Sequence, residues 1–260
     1  MSVVIDFNNV SFQRDGKSIL QNIDWQVESN QRWAVIGPNG AGKTSLLRIA
    51  GAQLQPTSGT VLVLGETLGE TNVFDLRTRI GFASNAIANH IPNSESVLNA
   101  VMTASYGVTG RAEESYELVD ERRARRVLAE WHLESFEERA FGTLSEGERK
   151  RVQLARSVMA DPEMLLLDEP IASLDLGARE ATIKVLSEFA QTKNAPAMIM
   201  VTHHLEEVPV GFTHALLLNA GQIYAAGDIR STLTTEKVSE CFGITVEVTQ
   251  NGGRYLARAK

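Results

Sequence analysis

Residues Gly37-Pro38-Asn39-Gly40-Ala41-Gly42-Lys43-Thr44 constrain this chain more than any other stretch, because they fit G-x-x-x-x-G-K-[ST] between a short apolar run and a helix-compatible segment. Glycines let the backbone curl so that successive N–H groups point inward at phosphate oxygens, and a following helix adds the positive end of its dipole. In that arrangement Lys43 reaches the β- and γ-phosphates as a point charge, and the Thr44 hydroxyl, next to Ser45, is suited to Mg²⁺. The motif demands a strand before it and a helix after it. Arg32–Ile36 and the residues from Ser45 onward meet that demand.

Two further apolar runs, 164–167 and 197–201, lack alternation, as strands covered on both faces do in a parallel sheet. Together with the intervening helical patterns they argue an α/β fold. The first run ends in Asp168-Glu169, and ligands of open α/β sheets collect at the carboxyl ends of strands. Asp168 can supply an oxygen to the Mg²⁺ shell, while Glu169 can take a proton from water or orient it. Ahead of them, residues 3–27 alternate around Asp15-Gly16 and predict an antiparallel ribbon.

Between 91 and 141 strand signals vanish and charged helical patterning takes over from about 113 to 131, with Glu121 four residues before Arg125. The arginines at 122, 123, 125 and 126 are interleaved with Glu117, Asp120, Glu121 and Glu130, so a solvated, salt-bridged face is favoured over a phosphate patch. Ala220-Gly221 reads as a hairpin turn. Beyond it, an alternating run at 245–249 before Asn251-Gly252 predicts a terminal hairpin of unassigned role. The expected organisation is a nucleotide-binding core over 1–89 and 144–235, a helical insert over 90–143 and a tail over 236–260.

Composition narrows the partners. The 260 residues carry 25 Lys and Arg against 32 Asp and Glu, a net charge of −7, the wrong sign for a chain that mainly neutralises nucleic-acid phosphates. No apolar run approaches the roughly 20 residues of a membrane span, and the first residues do not read as a secretory signal. The single Cys241 rules out an internal disulfide, fits a reducing cytoplasm and reads as a packed free thiol.

These residues resemble the ATP-binding cassette (ABC) ATPases over about residues 3–227. Besides the glycine-rich loop and the acidic strand end, Leu144-Ser145-Glu146-Gly147-Glu148 resembles the family signature. Ser173-Leu174-Asp175 resembles the D-loop and Val201-Thr202-His203 the switch histidine. The signature also has a reading of its own: Ser145 and Glu148 form a capping box, which makes the helix start an anion site with Gly147 allowing close approach. The resemblance implies a P-loop NTPase core with a parallel sheet flanked by helices, an N-terminal antiparallel β subdomain and an inserted helical subdomain. It implies ATP and Mg²⁺ as ligands and a dimer of cassettes, homo- or heterodimeric, that sandwiches two ATP molecules. His203 would contact the γ-phosphate, Asp175 would couple the two sites, and Asn85, standing where the family usually has Gln, would face Mg²⁺ or water. Arg14 aligns with the adenine-stacking position, which is usually aromatic; a guanidinium plane can stack on a base. The signature departs too, with Glu146 and Glu148 where Gly and Gln are commonest.

The leading expectation is the ATP-hydrolysing subunit of a transporter, seated on the cytoplasmic face of the membrane against separate permease subunits that would contact residues 85–101. The competing reading is a soluble cassette ATPase of a cytoplasmic assembly or repair complex, such as the iron–sulfur assembly type. A regulator without turnover is disfavoured by the presence of Lys43, Asp168, Glu169 and His203 together. The wording of residues 11–25 and 32–47 is similar to stand-alone cassettes labelled metal or molybdate uptake ATPases, and His203-His204 followed by Glu206 and Glu207 is not read as a metal site.

Overall fold

The computed structural model describes residues 2–84, 91–106 and 116–260. Asn85, the start of the expected permease contact and residues 113–115 of the expected helix lie outside them.

Strands β1 (Val3–Arg14) and β2 (Lys17–Glu28) form the ribbon around Asp15-Gly16 and join β4 (Ser58–Val63) and β5 (Glu66–Thr67) in an antiparallel sheet ordered β2-β1-β4-β5. A second sheet is built from β3 (Arg32–Ile36), β6 (Ile80–Ala83), β7 (Met164–Asp168), β8 (Ala197–Thr202), β9 (His214–Asn219) and β10 (Gln222–Asp228). Its order is β10-β9-β3-β8-β7-β6, parallel from β9 to β6, with β10 antiparallel at the edge.

The unbroken apolar runs have a direct explanation. Side chains alternate across a strand, and here both faces are covered. Ala34, Ile36, Leu165, Leu167, Met198 and Met200 enter one core with the helices. Trp33, Val35, Leu166, Ile199 and Val201 enter another, shared with Phe7, Trp25 and Val61 of the antiparallel sheet. Trp33 stands edge-on to Trp25, which stands edge-on to Phe7, a geometry aromatic quadrupoles favour.

The helices are α1 (Lys43–Ala50), α2 (Val73–Thr78), α3 (Val97–Met102), α4 (Leu118–Glu130), α5 (Glu146–Val158), α6 (Leu176–Ala190), α7 (Ile229–Thr232) and α8 (Thr235–Phe242). Helix α4 begins at Leu118, where the Asp120 carboxylate accepts the Glu117 N–H at 3.2 Å. Its arginines divide. Arg125 pairs with Glu121 at 2.9 Å and Glu137 at 2.5 Å, as a salt-bridged face requires. Arg123 instead donates to the Met159 and Val158 carbonyls at 2.5 and 3.3 Å, tying α4 to the end of α5. The chain closes with a two-stranded hairpin, β11 (Val246–Asn251) and β12 (Arg254–Ala259), turning through Gly252-Gly253 at φ 57° and 83°. Among the described residues no helix is long and apolar enough to cross a membrane.

Candidate active site

Parallel strands β3, β8 and β7 lie side by side, so the segments leaving their carboxyl ends share one edge of the sheet. These are the glycine-rich loop after β3, Asp168-Glu169 at the end of β7 and His203 after β8.

Two of the loop's glycines sit where no side chain fits. A Cβ on Gly37 would lie 2.0 Å from the Leu218 carbonyl oxygen, and one on Gly42, at φ 104°, would lie 2.8 Å from that of Ile19. Gly42 heads α1 without offering a side-chain cap, and no acid lies in the first turn. By contrast Asn72, Ser96, Ser145, Asp175, Asp228 and Thr234 each cap their own helix by side chain. The amides at the start of α1 are therefore left for an anion. Lys43 is buried and bends back over the loop, its Nζ donating to the Gly37 and Pro38 carbonyls at 2.8 and 2.9 Å. Burial pushes its ammonium below the usual lysine range, against the pull of Glu169 and Asp168.

Thr44 Oγ1 donates to Asp168 Oδ1 at 3.1 Å, bringing together two hard oxygens from the carboxyl-end side of two parallel strands, β3 and β7. Burial raises the Asp168 carboxyl, opposed by the Thr44 hydrogen bond, while Glu169 reinforces the rise and Arg48 and Lys43 oppose it. Such an oxygen pair beside a lysine suits a divalent cation on a phosphate. Glu169 adopts φ 48°, a left-handed conformation that costs a residue with a Cβ about 1–3 kcal/mol and is held where geometry matters more than ease. Its N–H donates to the Val201 carbonyl at 3.1 Å, and its Oε1 stands 3.5 Å from His203 Nδ1. That ring nitrogen is buried and makes no hydrogen bond. Glu169 and His203 are thus close enough to act on one water molecule.

The hairpin ending in Arg14 borders the loop, since β2 passes Gly42 at Ile19 and Leu20. Arg14 is exposed, 3.9 Å from Asp15. The signature segment lies at the head of α5. Ser145 Oγ accepts the Glu148 N–H at 3.3 Å and Glu148 Oε2 accepts the Ser145 N–H at 2.7 Å, the reciprocal box expected of S-x-x-E. Burial works against ionisation of Glu148, but the Ser145 bonds and the charges of Arg139 and Arg151 outweigh it and hold the carboxyl below its ordinary range. Gly147 has a packing role that the sequence did not disclose: a Cβ there would stand 2.6 Å from the Ala178 Cβ on α6. Asp175 likewise caps α6, accepting the Ala178 N–H at 2.8 Å. Lys150, hidden in a charged run, is buried and lines a small gap with Ser84, Asp168 and Pro170 beside the acidic pair.

A nucleotide loop at a strand end, a helix start bare of caps, an acidic strand end and a histidine at the neighbouring strand end together define a phosphate-handling α/β ATPase core. The chain also matches the family described as ABC transporter over residues 20–172. It is 37% identical over 260 residues to the Bacillus subtilis (strain 168) protein named "Uncharacterized ABC transporter ATP-binding protein YlmA", covering 99% of this chain and 98% of that one. It is 32% identical to the Lactococcus lactis protein named "Uncharacterized ABC transporter ATP-binding protein YmeB", covering 97% of each. The chain belongs to the ABC transporter family, as an ATP-binding, ATP-hydrolysing subunit. The fold agrees with cbiO1 from Clostridium perfringens, part of the transporter complex cbiONQ, at a TM-score of 0.79 and 23% identity over 92% of this chain and 94% of that one. It agrees also with the dimeric cassette MJ0796 bound to ADP and Pi, at 0.74 and 21% identity over 87% and 99%.

Proposed function

We propose that the chain works as one half of a two-cassette ATPase on the cytoplasmic face of a membrane, passing the energy of ATP closure to separate permease subunits. The observation that carries the reading is the meeting of Glu169 and His203, 3.5 Å apart, at the sheet edge that also bears Lys43 and Thr44. Residues 37–45 would wrap the phosphates and Lys43 would neutralise their charge. Thr44 and Asp168 would hold Mg²⁺, with Asn85 as a further oxygen ligand. The positive charge that Mg²⁺ would supply there lowers the cost of charge shifting onto the leaving group.

Glu169 would draw the proton from the attacking water, and His203 would keep that water in line. Arg14 would stack on the base. Ser145, Gly147 and Glu148 would address the nucleotide of the partner cassette across the interface, and Asp175 would connect the two sites. The cbiONQ complex and the dimeric cassette among the structural neighbours support partner subunits of both kinds.

The test is Glu169→Gln. Loss of a general base costs about 10² to 10⁴-fold in turnover, so this variant should bind ATP, hydrolyse it slowly and accumulate as a dimer in size-exclusion chromatography with Mg²⁺ and ATP. Hydrolysis at the parent rate would overturn the assignment of Glu169.

A further inference from the structure

The tail is the part of the chain that this chemistry leaves without work. An isolated two-stranded hairpin is marginal in water, so something beyond its own ladder must order β11 and β12. Part of the answer is apolar: Val246 and Tyr255 are buried, and Val248 and Ala257 pack on the helical core. The turn is seated as well, because a Cβ on Gly253 would stand 3.3 Å from Val210.

The rest of the answer is Arg254. Its guanidinium donates to both carboxylate oxygens of Glu180 on α6, and one of the same nitrogens also donates to the backbone carbonyl of Glu206. Glu206 lies in the short 3₁₀ turn Leu205–Glu207, which directly follows His203-His204. The front of that loop is fixed separately. Thr202 Oγ1 donates to the buried Glu207 carboxylate and accepts the His204 N–H at 3.1 Å. His203 is therefore suspended between one anchor at Thr202 and another that the last hairpin of the chain provides. Helix α6, the other end of the Arg254 bridge, begins at the Asp175 cap.

We propose that the C-terminal hairpin is a latch and Arg254 a positioning residue, fastening the loop that carries His203 to the helix headed by Asp175. The proposal rests on the role given to His203 above. A planar fork bonded to a carboxylate and a carbonyl at once fixes orientation as well as distance. Arg254 and Glu180 are 28% and 43% exposed, so solvent screens their attraction and the bridge acts on loop position more than on global stability. A misplacement of about 1 Å near a reacting group can cost up to about a hundredfold in rate.

The experiment uses the full chain with Arg254→Met, which keeps the aliphatic stem and removes the fork, and Arg254→Lys, which keeps the charge. Arg254→Met should lower kcat about tenfold with KM for ATP within about twofold of the parent, and Arg254→Lys should recover part of the loss. Amide hydrogen exchange at residues 203–208 should rise in Arg254→Met while β7 and α1 stay protected. In a His203→Ala background Arg254→Met should lower kcat no further.

Unchanged exchange at 203–208, a rise in exchange across the whole chain, or an unchanged kcat where His203→Ala itself lowers kcat would each overturn the latch. A further loss in the His203→Ala background would overturn its route through His203. If His203→Ala alone keeps the parent rate, it is the role of His203 that fails, whereas local exchange at 203–208 still reads the latch directly.

Discussion

Gly147 shows how much a single missing methyl can carry. Replacing it with Ala adds up to about 1 kcal/mol of helix propensity, yet the new Cβ would stand 2.6 Å from the Ala178 Cβ, and neither atom can rotate away. Overpacking of this kind costs about 1–3 kcal/mol, so the clash prevails. Gly147→Ala should melt at a lower temperature than the parent, and adding Ala178→Gly should raise the melting point again; a double variant less stable than Gly147→Ala would refute the contact. Cys241 gives a second residue-scale test. Burial raises its thiol to about 11, against the pull of Lys43. At pH 8 only about a thousandth is thiolate, so a disulfide reagent should label the native chain slowly and the guanidinium-unfolded chain at once. The loop of residues 37–44 and the acidic pair were legible in sequence because spacing alone specifies them. The packing role of Gly147 and the left-handed Glu169 were not, since the first arises from a neighbour distant in sequence and the second from backbone geometry that no residue type announces.

At the scale of elements, the central strands were readable because burial on both faces writes itself as an unbroken apolar run, and the ribbon because Asp15-Gly16 punctuates it. Helix α8 was equally available: Thr234 caps it, Val238 and Cys241 face inward three residues apart, and Gly243 ends it at φ 67°. The way β6 is fastened to β7 could not be read, because it joins residues 84 positions apart. Arg79 grips both oxygens of Glu163 at 2.5 and 3.2 Å, while the Glu163 N–H donates to the Arg79 carbonyl at 2.9 Å. The guanidinium holds the Glu163 carboxyl below its ordinary value, although burial pulls the other way. A depressed folded-state pKa contributes stability above the unfolded value, about 4.3, and that contribution is lost as pH falls through the folded value. Glu163 is half exposed, so the pair is worth under about 1 kcal/mol. Thermal melting of the parent and Glu163→Gln should differ slightly at pH 7, with the parent higher, and converge in strong acid. A gap that widens below pH 4 would contradict the pairing.

At the scale of the whole molecule, the Ser145 box belongs to a different element from the loop of residues 37–44, and a dimer in which each addresses the other's nucleotide makes every site composite. Complementation distinguishes that arrangement from two sites complete within single chains. Lys43→Ala disables the loop. Ser145 is exposed, so Ser145→Arg blocks the helix start at the cost of a cap, about 1 kcal/mol. Each variant alone should be inactive. In a mixed dimer, one site inherits both lesions and the other inherits neither. Random pairing makes half the dimers mixed, so co-refolded equal mixtures should regain about a quarter of the parent's intact sites, read as ATP turnover or as nucleotide retained in a Glu169→Gln background. The second readout matters because a dimer that needs both sites for turnover would still retain ATP at its one intact site. A site complete within each chain would leave the mixture as dead as its components in both measurements.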